Sequence, residues 1–475
     1  MTRSNLYNTL VLVVLMLLLQ LTTTTTCVAA ALSDQSSSSS IAVGSTSNVD
    51  TNDHPSYHSY SDSSWDRVLA LIGNDLPPLF PFQWRDYLGF GVAVVGLMLA
   101  AGGGIGGGGI LVPTYILVLD FPVKRAISLA SVTVLGGAIA NNLLNARKRH
   151  PDHKHRSVID WELILQLEPM TIAGTILGTL LNKALPALLL VILMVALLSF
   201  TAHKTLTKAN ELNKKENEAA ARVQEGGSGG ETKPLIGDNS KTLDIERQET
   251  QQESEASASF TRAAVLSATK LAVLFAFITA LNLLTGAQGG ETGGPVASSN
   301  CGPLCFWSAE AIMIIVIAIF AIVERHSLLQ KIETGVPINS EIAWTKENTI
   351  KYPCYSIGAG LVAGLFGVGG GIIQGPLMLA LGVHPAVASA SSACMILFTS
   401  LTATLSFVAF GILVPDYAMF CMLVGFISTV LGQLGMSVLL KRYQRNSYIA
   451  YCIGLVVAIS AVAMVIESIV AIMPS

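Results

Sequence analysis

Apolar residues occupy long uninterrupted runs in this chain, and short polar connections separate the runs. Runs of about twenty such residues are typical of helices that cross a bilayer. Full spans are predicted at residues 123–146, 160–182, 186–202, 262–286, 308–325, 386–411, 415–440 and 447–471. Charged residues make up 12% of the 475 positions, against roughly 25% in soluble domains. The sequence therefore predicts a multi-pass membrane protein.

Two further apolar stretches are each interrupted by a cluster of glycines. The first reads Gly104-Ile-Gly-Gly-Gly-Gly-Ile-Leu-Val-Pro113, and the second reads Gly367-Val-Gly-Gly-Gly-Ile-Ile-Gln-Gly-Pro376. A glycine cluster does not continue a stable helix, and the apolar pieces on either side are too short to cross a bilayer alone. Each motif therefore predicts a helix hairpin broken at the glycines.

The two motifs belong to a longer internal repeat. A constant shift of 263 residues superimposes them and also pairs Ser128 with Ser391. At a shift of 254 residues, Thr175–Gly178 pairs with Thr429–Gly432. The predicted fold class is all-α, a polytopic membrane protein of two repeats, each with a glycine-broken helix hairpin and three further spans.

Basic loops predict the orientation of these repeats, because Lys and Arg concentrate on the cytoplasmic side. The loop Arg147–Arg156 is rich in Lys, Arg and His, whereas the loop 287–307 holds no Lys or Arg. Placing the first loop inside makes the first repeat start outside and the second start inside. The repeats are therefore expected to have inverted topology, although Lys124 and Arg125 would then lie outside, against the rule.

The charge and hydropathy pattern divides the chain into six segments. They are a signal peptide at 1–31, a Ser-rich extracytoplasmic segment at 32–85, a first repeat at 86–203, a disordered cytoplasmic loop at 204–260, two additional transmembrane helices at 261–326 and a second repeat at 352–472. The short apolar run near the N-terminus, followed by small residues, is typical of a signal peptide; an uncleaved signal anchor is the alternative. The plasma membrane or a secretory-pathway endomembrane is the expected location.

Matched helix breaks in two matched halves indicate a transport site. Free backbone N–H groups and the positive end of the helix dipole at each break are suited to an anion. The alternative explanation for the glycines is close packing of helices. The alternative explanation for Ser128 and Ser391 is hydrogen bonding between helices. The predicted substrate-binding residues are Gly104, Gly106, Gly107, Gly108, Pro113, Ser128, Gly367, Gly369, Gly370, Gly371, Pro376 and Ser391.

Two other sets of residues have predicted roles. Glu168 lies within a span and is a candidate for proton coupling, with a satisfied interfacial carboxylate as the alternative; its counterpart in the second half is Met422. Cys301 and Cys305 lie in the loop placed outside, close enough in sequence to form a disulfide in an oxidising compartment. A free pair is the alternative.

The sequence also indicates what to exclude. It contains no nucleophile–base constellation, P-loop or HExxH motif, so neither an enzyme nor an ATP-driven pump is expected. The cysteines form no paired CxxC pattern, so no metal or other cofactor is expected. A net charge of −3 gives no reason to expect nucleic acid as a partner. The lipid bilayer and a small anion are the expected partners, and the sequence leaves the oligomeric state open.

The doubled motif, followed in each copy by a proline and an Ala/Ser-rich helix, resembles the TauE/SafE family of sulfite exporter-like permeases. The resemblance covers roughly 86–203 and 352–472. It implies movement of small anions, with sulfite and organosulfur compounds as the usual assignments. The signal peptide, the long inner loop and the two extra spans are similar to the eukaryotic members.

The combined prediction is a secondary transporter of small anions, of the sulfite or organosulfur type. Alternating access around the paired broken helices would move the anion across the membrane. The alternative function is a membrane receptor or scaffold that binds a cytosolic partner through the loop 204–260.

Overall fold

The structure is a computed structural model that describes residues 83–103, 106–150, 156–225, 263–282, 303–335, 338, 340–443 and a few positions between 451 and 465. In these ranges the chain forms helices and turns, with one isolated bridge between Arg149 and Ser157. The helices are α1 (Trp84–Gly103), α2 (Gly108–Leu117), α3 (Val123–Asn145), α4 (Trp161–Ala184), α5 (Ala187–Glu225), α6 (Ala263–Asn282), α7 (Pro303–Thr334), α8 (Asn348–Phe366), α9 (Gly371–Ala380), α10 (Pro385–Ala409) and α11 (Pro415–Tyr443).

Eight helices of the described ranges are long and apolar enough to cross a membrane, so the predicted all-helical multi-pass architecture is confirmed. They are α1, α3, α4, α5, α6, α7, α10 and α11. The predicted signal peptide, residues 32–82 of the predicted Ser-rich segment, and all but a few positions of the predicted span 447–471 lie outside the described residues.

The largest difference from the predicted boundaries is the end of α5, and α7 also extends beyond the predicted span 308–325 at both ends. Helix α5 does not end with the apolar run near residue 202 but continues to Glu225, and so includes the start of the segment 204–260. The added stretch is rich in Ala, Lys and Glu, which have high intrinsic helix propensity. Low hydrophobicity therefore did not prevent helix formation here, because a helix already nucleated in the span is extended at little cost.

Both glycine motifs break the chain between two helices, as predicted. The first break separates α1 from α2 and the second separates α8 from α9. Helices α2 and α9 have ten residues each, or about 15 Å, half the thickness of a bilayer core. Equivalent glycines adopt the same left-handed backbone: φ is 77° at Gly106 and 74° at Gly369, and 70° at Gly107 and 68° at Gly370.

Helices α3 and α10 form the centre of the molecule. Each buries most of its residues, and the two pack against each other. Around them, helices of one half pack against helices of the other half: α1 packs against α11, and α8 packs against α4. The broken helix of each half therefore contacts a span of the other half.

Helices α4 and α8 approach so closely that their glycines face backbone. A Cβ on Gly174 would lie 2.2 Å from the carbonyl oxygen of Ile357, and a Cβ on Gly360 would lie 1.9 Å from that of Thr171. Gly178 and Gly364 make equivalent contacts one turn further along. Each helix thus presents a Gly-x-x-x-Gly face to the other, an arrangement that lets membrane helices pack through their backbones.

We expect Gly360→Ala to lower the free energy of unfolding by about 1–3 kcal/mol, because the new methyl group must push α4 away from α8. The measurement is the thermal unfolding midpoint of the detergent-solubilised protein. Gly358→Ala is the matched control, since a Cβ there meets nothing within 4 Å on the same helix. Equal midpoints for the two variants would show that the glycine face does not hold these helices together.

Candidate functional site

The two glycine breaks meet at the centre of the molecule, backbone against backbone. A Cβ on Gly108 would lie only 2.4 Å from the Cα of Val368. On the other side of the second break, a Cβ on Gly367 would lie 2.3 Å from the carbonyl oxygen of Ile127 in α3. These positions therefore accept no side chain without displacement of backbone.

The same two side chains of the central helices cover both breaks. Val134 of α3 and Ile396 of α10 are within 4 Å of a Cβ built on Gly106 and of a Cβ built on Gly369. Val134 and Ile396 are both almost fully buried. The breaks thus share one apolar contact surface at the interface of α3 and α10.

The short helices α2 and α9 both begin at this meeting point. Gly107 and Gly370 occupy the position before each helix, and neither can supply a side-chain cap. Their carbonyl oxygens accept the N–H groups of Ile110 and Ile373, but the first amides of a helix have no intrahelical acceptor. The N-terminus of a helix also carries partial positive charge. Two such ends near the centre make an environment that favours an anion.

A small cavity borders the first break. Its lining is mostly apolar, with Asn141 and Thr429 as the polar side chains; the other lining residues are Leu97, Ala101, Gly106, Val134, Gly137, Ala138, Ala393 and Ile396. The cavity thus touches both central helices and Gly106 of the first motif.

A chain of polar side chains connects this cavity with a cation. Gln433 donates from Nε2 to Asn141 Oδ1 at 2.8 Å and accepts from Lys148 Nζ at 2.9 Å. Lys148 follows the end of α3, and partial burial lowers the pKa of its ammonium group. Neither Asn141 nor Lys148 is among the substrate-binding residues predicted from the sequence, because Gln433, which links them, lies 285 positions from Lys148 along the chain.

The described glycines of the predicted substrate-binding set lie at this meeting point, whereas Gly104 lies outside the described residues. Pro113 and Pro376 are each the sixth residue of their short helix, more than a turn beyond the break. Pro113 is buried, but Pro376 is exposed on the surface of the protein. The two halves of the site therefore differ in their surroundings.

The two predicted serines use their hydroxyls in contacts away from the glycines. Ser128 Oγ donates to the carbonyl of Arg125 at 2.9 Å, and Ser391 Oγ accepts the backbone N–H of Asp160 at 3.0 Å. Other hydroxyls contact the second break. Ser131 Oγ lies 2.8 Å from a Cβ built on Gly367, and Thr399 Oγ1 donates to the carbonyl of Gly369 at 3.2 Å.

Glu168, the coupling candidate, is completely buried in α4, and neither carboxyl oxygen has a hydrogen-bond partner among the residues that the structure describes. The predicted Cys301–Cys305 pair cannot be located, because Cys301 lies outside the described residues.

A charged cluster ties together the helix ends on one side of the site. Asp160 caps α4 through Oδ1, while its Oδ2 accepts from Ser340 Oγ at 2.8 Å and from the N–H of Glu341 at 3.1 Å. Glu341 in turn contacts His150 Nε2 and accepts the N–H of His384 at 2.6 Å. The loop before α8 therefore joins the ends of α3, α4 and α10.

The pKa values of the two carboxyl groups in this cluster are shifted in opposite directions. Burial raises the pKa of Asp160 despite its hydrogen bonds. Partial burial would also raise the pKa of Glu341, but the hydrogen bonds from His150 and His384 outweigh it and leave that pKa lowered. Ionised Glu341 thus stabilises the folded state at neutral pH.

We expect Glu341→Gln to lower the thermal unfolding midpoint at neutral pH. Because the folded pKa is depressed, this stabilisation is complete above the unfolded pKa and is lost as pH falls through the folded value. The difference from wild type should therefore shrink as the midpoint is measured at progressively lower pH. Glu347→Gln is the control, because its ion pair with Lys351 is exposed and such pairs contribute little. A pH-independent difference for Glu341→Gln would contradict the assignment.

These features define a class of protein: a multi-pass membrane protein with two broken helices that meet at its centre, next to a small and mostly apolar cavity. The chain belongs to the sulfite exporter TauE/SafE family, whose profile matches residues 88–331 and 354–472. It is accordingly a member of a family of membrane transporters, as the resemblance in the motifs predicts.

Several proteins of Arabidopsis thaliana are similar along most of their length. The chain is 28% identical over 395 residues to sulfite exporter TauE/SafE family protein 3, covering 82% of this chain and 79% of that protein. It is 28% identical to family protein 5 over 380 residues, covering 77% and 79%. Identity with family protein 1 is 25% over 378 residues, covering 77% and 80%. No solved structure matches the chain significantly.

Proposed function

We propose that the protein is a secondary transporter of small oxyanions of the sulfite and organosulfur class. The observation that carries the proposal is the meeting of two uncapped helix N-termini beside a cavity that Asn141 and Gln433 link to Lys148. Helix ends, an amide and a cation are all donors to a negatively charged ligand.

The names of the relatives direct the choice of anion. The relatives in Arabidopsis thaliana are named as sulfite exporter family proteins, and sulfite is a compact oxyanion with several acceptor oxygens. Backbone N–H groups recognise charge and acceptor geometry rather than sulfur itself. We therefore propose a range of small sulfur oxyanions and not sulfite alone.

Alternating access is the proposed mechanism. Each broken helix packs on a span of the opposite half, so a movement of one half changes the surroundings of both breaks. Inverted repeats, proposed from the basic loops, would open the same central site first to one side and then to the other. The apolar contact of Val134 and Ile396 with both breaks is the point about which the halves would move.

Flux measurements in proteoliposomes test the function. We expect wild type to release radiolabelled sulfite, sulfate or sulfoacetate faster than empty liposomes, and Gly107→Leu and Gly370→Leu to reduce the rate to that background. Both glycines have positive φ, which a leucine adopts only with strain, and a Cβ on Gly107 would also lie 2.6 Å from Leu97 Cδ2.

Gly358→Leu is the matched control for these variants, because a Cβ at Gly358 meets nothing within 4 Å. Deletion of 226–260 tests the alternative role as a scaffold: a transporter should keep its flux without this loop. If wild type moves none of the three anions, the proposed function is wrong. If Gly107→Leu and Gly370→Leu fold and transport normally, the site assignment is wrong.

Lys148 should determine how tightly the anion binds. We expect Lys148→Met to raise the KM for the transported anion roughly tenfold, equivalent to 1.4 kcal/mol, with a smaller change in maximal rate. Lys148→Arg keeps the charge and should preserve most of the affinity. Lys346→Met, which removes an exposed lysine paired with Glu333, is the control. An unchanged KM in Lys148→Met would show that this cation does not attract the substrate.

A further inference from the structure

The second glycine break has a polar environment of a different kind from the first. Gln374 lies in the first turn of α9, and its Cδ is 3.6 Å from a Cβ built on Gly370. Its Nε2 donates to Thr171 Oγ1 of α4 at 3.2 Å, while its Oε1 is buried and finds no hydrogen-bond partner in the described ranges. An acceptor oxygen thus remains unused beside the break.

Glu168 lies on the same face of α4 as Thr171, one turn earlier, because residues three apart are neighbours on a helix. The side chain is 0% exposed, and within the described part of the chain both of its oxygens lack hydrogen-bond partners. An ionised carboxylate without a partner in such a place is very costly, whereas a neutral carboxylic acid costs far less. The packing of this conformation therefore requires that the carboxyl group bind a proton.

The charges around α4 do not neutralise this group. The helices that pack most extensively against α4 are α7, α8 and α10, and α9 contacts it through Gln374. On α7, Glu324 is paired with Lys270 and Lys331 is paired with Glu162. On α8, Lys351 is paired with the exposed Glu347, and on α10 the buried thiol of Cys394 lies within electrostatic reach of Glu168.

We propose that Glu168 is the binding site of a coupling proton, linked to the second glycine break through Thr171 and Gln374. This inference rests on the proposed function. An ionised Glu168 would repel an anion held at the breaks, so the anion and the proton should favour each other's binding, and the coupling is reciprocal. Glu168 takes up one proton when the anion binds and releases it when the site opens to the other side. The expected result is symport of one proton with each anion.

The position equivalent to Glu168 in the second half does not carry an acid. The residue equivalent to Glu168 in the second half is Met422, whose backbone oxygen packs 2.0 Å from a Cβ built on Gly136. The first break thus has an amide, a hydroxyl and a connected lysine around a cavity, whereas the second has an acid and an unused amide oxygen. In this proposal the first break binds the anion, and the second break is linked to the proton site.

Sulfate and sulfoacetate are the probes for the test, because sulfite itself takes up a proton near neutral pH. Proteoliposomes with the membrane potential clamped at zero are given a pH gradient of one unit, and the faster of the two probes is followed. Wild type should accumulate the probe up to about tenfold, since one pH unit is worth 1.36 kcal/mol per proton. Glu168→Gln imitates the protonated acid, so it should still exchange internal and external probe but show no accumulation.

Glu162→Gln is the matched control, because Glu162 lies at the start of the same helix and is paired with Lys331. In this variant, anion transport should remain coupled to the pH gradient. Accumulation by Glu168→Gln at the wild-type level would overturn the proposal, and so would a loss of exchange together with coupling. Absence of flux in wild type would instead contradict the proposed function.

An infrared measurement tests the proton site independently of transport. A buried protonated carboxyl group gives a carbonyl band that Glu168→Gln should lack and Glu162→Gln should keep. Wild type without this band would overturn the proposal even if anions are transported.

Discussion

The structure depends on close approach of one backbone to another at glycine positions. Lipid is as apolar as the side chains, so helices in a membrane gain little from hydrophobic burial and rely on packing and hydrogen bonds. Here the backbone carbonyls of α4 and α8 occupy the space that a Cβ at the glycine positions would need. The two breaks meet at Gly108 and Val368 in the same way. Removal of side-chain bulk is what allows polar backbone to gather at the centre.

The symmetry of the two halves extends to the backbone but not to the chemistry around it. Equivalent glycines have φ angles within a few degrees of each other, yet α2 is almost entirely buried whereas α9 is partly exposed. Lys148 and Glu168 both lie in the first repeat, and the position equivalent to Glu168 in the second repeat is Met422. Under the proposals above, this difference assigns the anion to the first break and the proton to the second.

Much of the architecture could be predicted from the sequence, because apolar runs and glycine clusters are local signals. The spans and both breaks follow from them. The contacts of single hydroxyls could not be predicted: Ser128 and Ser391 match across the repeat, but Ser131 and Thr399 contact the glycines of the second break. Pairs such as Asp160 with Glu341 join residues 181 positions apart. Such pairs depend on how the helices pack, which no local pattern determines.

The contact of Gly108 with Val368 also has a mechanical consequence. At this contact the backbone of Val368 lies where a side chain at position 108 would lie, so a displacement of one break acts directly on the backbone of the other. Under the proposed mechanism, such a direct contact would disfavour a conformation in which both sides of the site are open at once.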